Sequence, residues 1–83
     1  MLAYALLGQR RFAEADREFR KLLYLSTGRE STIKARWGMA QSLEGMGDLQ
    51  GAIDQYEASR ADADDPEYVK EKIDRLKRRL RIP

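Results

Sequence analysis

The sequence predicts an all-α fold of about five helices, packed as antiparallel helix–turn–helix pairs. Apolar residues recur at intervals of three and four positions, which is the spacing of an amphipathic helix. No segment alternates between apolar and polar residues as a half-buried strand does. The chain also resembles itself when it is shifted by 37 residues, for example from Ala3 to Ala40, which indicates a repeated structural unit.

The internal repeat relates two segments in which small and large side chains follow each other in the same order. Small residues match small ones and large apolar residues match large ones, as expected where one helix–helix contact is built twice. The matched pairs are Ala3 with Ala40, Leu6 with Leu43, Gly8 with Gly45, Phe12 with Leu49, Ala15 with Ala52, and Phe19 with Tyr56. The repeated unit is therefore predicted to be one helical hairpin.

Residues 1–25 are predicted to form a first, partial helix pair. A polar turn from Gln9 to Arg11 separates a short apolar helix from a second helix that carries Phe12 and Phe19 on one face. The second helix is expected to end where Ser26 begins a small, polar segment.

Residues 26–32 are predicted to be a connector. Gly28 is suited to the left-handed conformation that often follows a helix. Ser31 or Thr32 is expected to cap the next helix, since short hydroxyl side chains accept hydrogen bonds from free amides at a helix start.

Residues 33–64 are predicted to form a second helix pair, and residues 65–83 a basic C-terminal capping helix. Two glycines and an aspartate force a turn between Gly45 and Asp48. Asp65 and Pro66 are suited to open the last helix. Its apolar stripe is expected to consist of Val69, Ile73, Leu76 and Leu80.

The two units share a motif of small and large residues. The second unit reads Met39-Ala40-x2-Leu43, then Gly47-Asp48-Leu49 and Ala52-x3-Tyr56; the first reads Leu2-Ala3-x2-Leu6, then Phe12 and Ala15-x3-Phe19. In this pattern residues 1–68 resemble the tetratricopeptide repeat family. The spacing of 37 exceeds the family's usual length of about 34, and we assign the excess to the connector around residues 25–32. Arg36 stands where the family often has tryptophan.

The resemblance implies an α-solenoid whose concave face binds a peptide, a partner helix or a second copy of the chain. The residues expected on that face are Tyr4, Leu7, Lys34, Trp37, Gln41 and Glu44. Trp37 is the expected anchor, because exposed aromatic residues provide large contact areas with few rotatable bonds. The alternative is that Trp37 packs in the core beside Ile33, and the sequence leaves both open.

The seven Lys and Arg residues after Val69 allow an alternative function, an adaptor for nucleic acid or an anionic membrane. The more ordinary interpretation is that pairs four residues apart, Glu71 with Arg75 and Asp74 with Arg78, neutralise part of this charge. We therefore expect a protein partner and neither nucleic acid nor membrane.

Catalytic and metal-site motifs are not found in the sequence. The chain has no histidine and no cysteine, and the acidic residues from Asp62 to Glu67 do not match a calcium-binding loop. The other carboxylates are expected on solvent-facing helix positions. We predict a protein that is not an enzyme and has no cofactor or metal.

The apolar N-terminal segment predicts self-association. Without a preceding repeat to cover them, Leu2 and Leu6 are expected to be exposed and to bury each other in a homo-oligomer. No segment has the features of a signal peptide or a membrane span, so we expect a soluble protein, with the cytoplasm as the favoured location.

Overall fold

The computed structural model describes residues 2–81 and places five α-helices in this part of the chain. In order these are α1 (Leu2–Gly8), α2 (Phe12–Leu25), α3 (Arg29–Gly45), α4 (Leu49–Arg60) and α5 (Pro66–Arg81). No strand occurs among the described residues. The predicted all-α class and the number of helices are confirmed. Of the predicted segments 1–25 and 65–83, Met1, Ile82 and Pro83 lie outside the described residues.

Each helix packs against the next one in the chain, and α1 also contacts α3. This arrangement gives two hairpins, α1 with α2 and α3 with α4, followed by α5 on the outer side of α4. Helix α3, the first helix of the second hairpin, therefore also contacts both helices of the first hairpin.

The turns of the two hairpins have the same hydrogen-bond pattern. In each turn, three successive amides donate to carbonyls in the last turn of the preceding helix. The donor–acceptor pairs are Gln9 to Ala5, Arg10 to Leu7 and Arg11 to Leu6 in the first turn, and Met46 to Ser42, Gly47 to Glu44 and Asp48 to Leu43 in the second. The middle residue of each turn has a positive φ, 62° at Arg10 and 84° at Gly47. The sequence repeat of 37 residues is thus also a repeat in backbone geometry.

Two clusters of buried side chains form the core. One joins Phe19 and Met39 to α1, and the other joins Ile53 and Tyr56 to α5. Ala15 and Ala52, at matched positions, are both fully buried. Their small side chains allow the paired helices to approach closely, and the aromatic residues one turn later fill the adjoining space.

Two glycines of α3 set its contact with α2. A Cβ atom at Gly38 would overlap the ring of Phe19, and one at Gly45 would overlap the ring of Phe12. The two rings are seven residues apart on α2, as the two glycines are on α3. Helix α2 therefore packs two aromatic rings directly onto the backbone of α3.

The connector predicted for residues 26–32 is shorter in the structure and spans residues 26–28, because α3 begins at Arg29. Gly28 has a φ of −132°, which is extended and not left-handed. The hydroxyl groups of Ser31 and Thr32 lie inside the first helical turn and donate to the carbonyl of Gly28. Residues 29–32, which were assigned to the connector, instead form the first turn of the helix.

The start of α5 follows the prediction. Pro66 is its first residue, and the amide of Tyr68 donates to Asp65 Oδ1 at 3.2 Å. Val69 and Ile73 are buried against α4, whereas Leu80 remains 47% exposed. The apolar stripe therefore ends one turn earlier than predicted.

Candidate functional site

A groove of about 660 Å³ lies between α1, α3 and the loop that joins α4 to α5. Its walls are formed by one residue of α1, several residues of α3 and the residues that precede α5. The lining residues are Tyr4, Arg29, Glu30, Ile33, Lys34, Trp37, Gly38, Gln41, Ala63, Asp64 and Asp65.

Four of the six residues predicted for the concave face line this groove, namely Tyr4, Lys34, Trp37 and Gln41. Leu7 does not line it and packs instead against the core cluster that contains Phe19. Glu44 lies beyond the groove, where it accepts a hydrogen bond from Arg79 of α5 at 3.0 Å.

Trp37 both packs in the core and lines the groove. Its indole Nε1 donates to Ser59 Oγ at 3.0 Å. Its ring lies 6.3 Å from the ring of Tyr56 and 5.9 Å from that of Tyr68, between centroids. The two interpretations left open by the sequence are therefore compatible. Because α4 and α5 both hold the ring, Trp37 contributes to folding more than a freely exposed anchor does.

Tyr4 provides the exposed aromatic surface on the opposite wall. It is 44% exposed, and its ring meets that of Phe19 edge to face at 5.1 Å. This contact with a fully buried side chain restrains the orientation of the Tyr4 ring.

Tyr68 and Lys72, which the sequence did not single out as site residues, extend the aromatic surface onto α5. The Nζ atom of Lys72 lies 5.2 Å from the ring centroid of Tyr68 and 5.9 Å from that of Tyr56, within cation–π range. Tyr68 and Lys72 are four residues apart, which places them on one side of a helix, and this spacing could have predicted their contact.

The environment of Tyr56 disfavours ionisation of its phenol. Burial raises the pKa of Tyr56 from 10.0 to about 12, and the charges of Glu44 and Tyr68 act in the same direction. A neutral Tyr56 is therefore part of the folded core under ordinary conditions.

Charged residues of both signs line the groove and pair with each other. The Nε atom of Arg29 donates to the carbonyl of Asp62 at 2.7 Å, and its Nη2 donates to Asp64 Oδ1 at 2.8 Å. Lys34 pairs with Glu30 at 3.2 Å. Arg29, which the sequence did not single out either, thereby connects the loop before α5 to the start of α3.

One carboxylate contradicts the expectation that all of them face solvent. Asp16 is only 8% exposed; its Oδ2 accepts from Arg20 at 2.8 Å, while its buried Oδ1 has no hydrogen-bond partner. The matched position in the second hairpin is Ile53. The shift by 37 residues could have predicted this burial.

The predicted ion pairs within α5 do not form. Among residues 2–81, neither Glu71 with Arg75 nor Asp74 with Arg78 lies within ion-pair distance, and the pair made by α5 joins Arg79 to Glu44. The positive charge on the outer side of α5 is therefore less neutralised than the sequence indicated.

The two residues predicted for self-association differ in exposure. Leu6 is only 6% exposed, since it packs inside the first hairpin, and its assignment to a self-association surface is wrong. Leu2 is 61% exposed and remains available.

Comparisons of the chain with protein-family models, characterised proteins and solved structures found no match. Within the described part of the chain, no helix is both long and apolar enough to cross a bilayer. Nor do three or more potential metal-ligating side chains come together among residues 2–81. The groove and the exposed surfaces are therefore what the structure offers for functional inference.

Proposed function

We propose that the chain is a non-catalytic binding module, built like a tetratricopeptide array, that holds a segment of another polypeptide in the groove between α1 and α3. The groove itself carries this assignment. It brings Tyr4 and Trp37, which are 33 residues apart in the sequence, to one concave surface of about 660 Å³.

The ligand segment gains affinity mainly from apolar contact. Tyr4, Ile33 and Trp37 offer aromatic and aliphatic surface that a peptide side chain or the apolar face of a helix would cover. Gln41 and Lys34 also line the groove and are exposed, so their amide and ammonium groups can select for polar groups of the ligand. An apolar centre with a polar rim is typical of protein–protein contacts.

Preorganisation supports this function. Trp37 is held by its hydrogen bond to Ser59 and Tyr4 by its contact with Phe19. Side chains that are already fixed lose little entropy when a ligand binds, so more of the contact energy appears as affinity.

Selection of peptides from a display library on the immobilised chain tests the groove. Trp37 is the single tryptophan, so its fluorescence reports binding of a selected peptide directly. Tyr4→Ala should weaken this binding about tenfold or more, as loss of an aromatic anchor does. Tyr24→Ala is the matched control, since Tyr24 is 89% exposed at the end of α2 and does not line the groove. Equal affinity of the two variants would place the binding site elsewhere.

A second candidate function, nucleic-acid binding through α5, gains support from the unneutralised charge. Five exposed cations of α5 have no ion-pair partner within the described residues; they are Lys70, Arg75, Lys77, Arg78 and Arg81. Binding of this kind weakens steeply with salt, with a slope near −0.9 for each phosphate contacted on a duplex. Lys77→Glu should reduce the slope for a DNA duplex, and binding only to anionic vesicles would instead assign the surface to membranes.

We also propose that the protein acts in the cytoplasm, as expected from its sequence. Fractionation of cells that produce the tagged chain would test this location.

A further inference from the structure

A second cavity of about 460 Å³ adjoins the groove on the side of α2. It lies between α1, the C-terminal half of α2 and the first turns of α3. Tyr4 and Lys34 line both the groove and this cavity. Both side chains are exposed, so a ligand that lies over them reaches both spaces.

The walls of the second cavity are mainly apolar. Phe19 and Ala35 are buried, Leu22 is half-buried and Leu25 is 71% exposed. Of the described residues, Lys34 is the only charged one that lines this cavity. A large apolar side chain that enters it removes the exposed surface of the leucines from water, which favours binding in proportion to the area covered.

The opposite side of the groove carries a negative charge that is not compensated. Lys34 pairs with Glu30, and Arg29 pairs with Asp64. The remaining charged residue of the groove lining is Asp65, which lies in the loop before α5. It is exposed and forms no ion pair with any residue from 2 to 81. This side of the groove is therefore complementary to a cation.

We propose that the polypeptide held in the groove is a segment with one large apolar and one basic side chain. The apolar side chain, of the size of leucine or phenylalanine, occupies the second cavity, and a lysine or arginine of the segment lies at Asp65. This assignment rests on the proposed groove function and adds an anchoring pocket and a ligand chemistry to it. Because the second cavity lies toward α2 and Asp65 toward α5, the two contacts also define the direction in which the segment crosses α3. Charge complementarity selects it from other segments of similar shape.

Peptides selected from a random display library on the immobilised chain are the probe for the second cavity. They should share a large apolar and a basic residue at a constant separation. Leu25→Ala should weaken their binding about fivefold, since the apolar side chain loses part of its contact. Tyr24→Ala is the matched control, because the neighbouring Tyr24 is 89% exposed and lines neither space; it should leave the affinity unchanged. A peptide with alanine in place of its apolar residue should no longer distinguish Leu25→Ala from the unmodified chain.

Asp65→Asn tests the charge without removing the start of α5. Asparagine caps a helix as well as aspartate does, so the amide of Tyr68 keeps its acceptor. The substitution should weaken binding about two- to fivefold, as expected for loss of an exposed ion pair, and only for peptides that keep their basic residue. Asp48→Asn is the matched control, since Asp48 caps α4 by accepting from the amide of Gly51 and lines neither space. Thermal unfolding checks that both variants keep the fold.

The results distinguish this assignment from the groove function itself. If binding depends on Tyr4 but not on both Leu25 and Asp65, the assignment is overturned while the groove function stands. Acidic residues in place of basic ones among the selected peptides, or equal losses in Tyr24→Ala and Leu25→Ala, overturn it as well. Failure to select any peptide that binds through Tyr4 overturns both.

Discussion

Single residues determine whether the core of each matched hairpin is fully apolar or contains a polar atom without a hydrogen-bond partner. Asp16 and Ile53 occupy the same position of the repeat, and both are buried. Ile53 joins the apolar cluster with α5, while Asp16 places an unpartnered Oδ1 in the interior. A buried polar atom without a partner costs about 1–3 kcal/mol, so the first hairpin is less optimised than the second at this position.

Replacement of this carboxylate should therefore stabilise the chain. We expect Asp16→Ile to raise the free energy of unfolding in urea by about 1–3 kcal/mol, because an apolar side chain replaces a poorly satisfied buried charge. Asp54→Ile is the control, since Asp54 is exposed on α4, and a change within about 0.5 kcal/mol is expected there. Lower stability of Asp16→Ile would mean that the ion pair with Arg20 outweighs the cost of burial.

Alkaline pH should reveal the buried phenol of Tyr56. The folded chain raises the pKa of this group from 10.0 to about 12, so between these values the unfolded chain loses the proton and the folded chain keeps it. The free energy of unfolding should then fall as the pH rises from 10 toward 12. Below pH 10 both states keep the proton, so this group causes no change of stability with pH. Tyr56→Phe should remove this part of the pH dependence in urea titrations, whereas Tyr24→Phe, at an exposed position, should retain it. An unchanged slope in Tyr56→Phe would contradict the assignment.

At the level of whole helices, two aromatic rings on two glycines determine how α2 meets α3. Phe12 and Phe19 reach the backbone of α3 at Gly45 and Gly38. A side chain at either position would have to displace one of these rings, so glycine is favoured there by packing and not by backbone conformation.

The matched glycines Gly8 and Gly45 offer a test within one chain. Gly45→Ala should lower stability by about 1–3 kcal/mol, since the ring of Phe12 must move. Gly8→Ala should instead raise it by about 0.5–1 kcal/mol, because nothing occupies the space and alanine favours a helix. Thermal unfolding of both variants at low protein concentration measures the difference. Equal effects would show that the α2–α3 contact is looser than the structure indicates.

The sequence predicted most of the elements but few of the contacts between them. Helices and turns follow from local periodicity and from residues such as Gly47, so shifting the chain against itself located them. The start of α3 is not predicted correctly, because a hydroxyl residue such as Thr32 is suited to cap a helix from outside. In the structure Thr32 lies inside the first turn and donates to the carbonyl of Gly28. The position of Tyr68 beside Trp37 depends on how α5 packs across α4, and no local pattern contains that information.

At the scale of the whole molecule, α5 completes the second core cluster. Val69, Ile73 and Leu76 are at most 2% exposed and cover the outer side of α4. Burial of each such side chain contributes about 1.5–3 kcal/mol. Their sum is comparable to the total stability of a small domain, about 5–15 kcal/mol.

A chain that ends at Asp65 should therefore lose cooperative unfolding. Circular dichroism should show reduced helicity and a broad, shallow urea transition in place of a sharp one. Ile73→Ala is the graded version and should cost about 2–5 kcal/mol, while Lys77→Ala, on the exposed side of α5, should have little effect. Sharp unfolding of the shortened chain would show that the two hairpins suffice.

The repeated turn geometry at Arg10 and Gly47 makes the chain extensible by duplication. Residues 12–48 run from the start of α2 to the end of the second turn, so a copy inserted after Asp48 begins with the same helix position that α4 occupies. Each turn of the lengthened chain then has a precedent in the present one: α3 leads into a second α2 through the matched turn, and the new α3 leads into α4 as before. We expect the insertion to yield a seven-helix chain that unfolds at higher urea concentration, because the two added helices bury one more α2–α3 interface while the two ends remain unchanged.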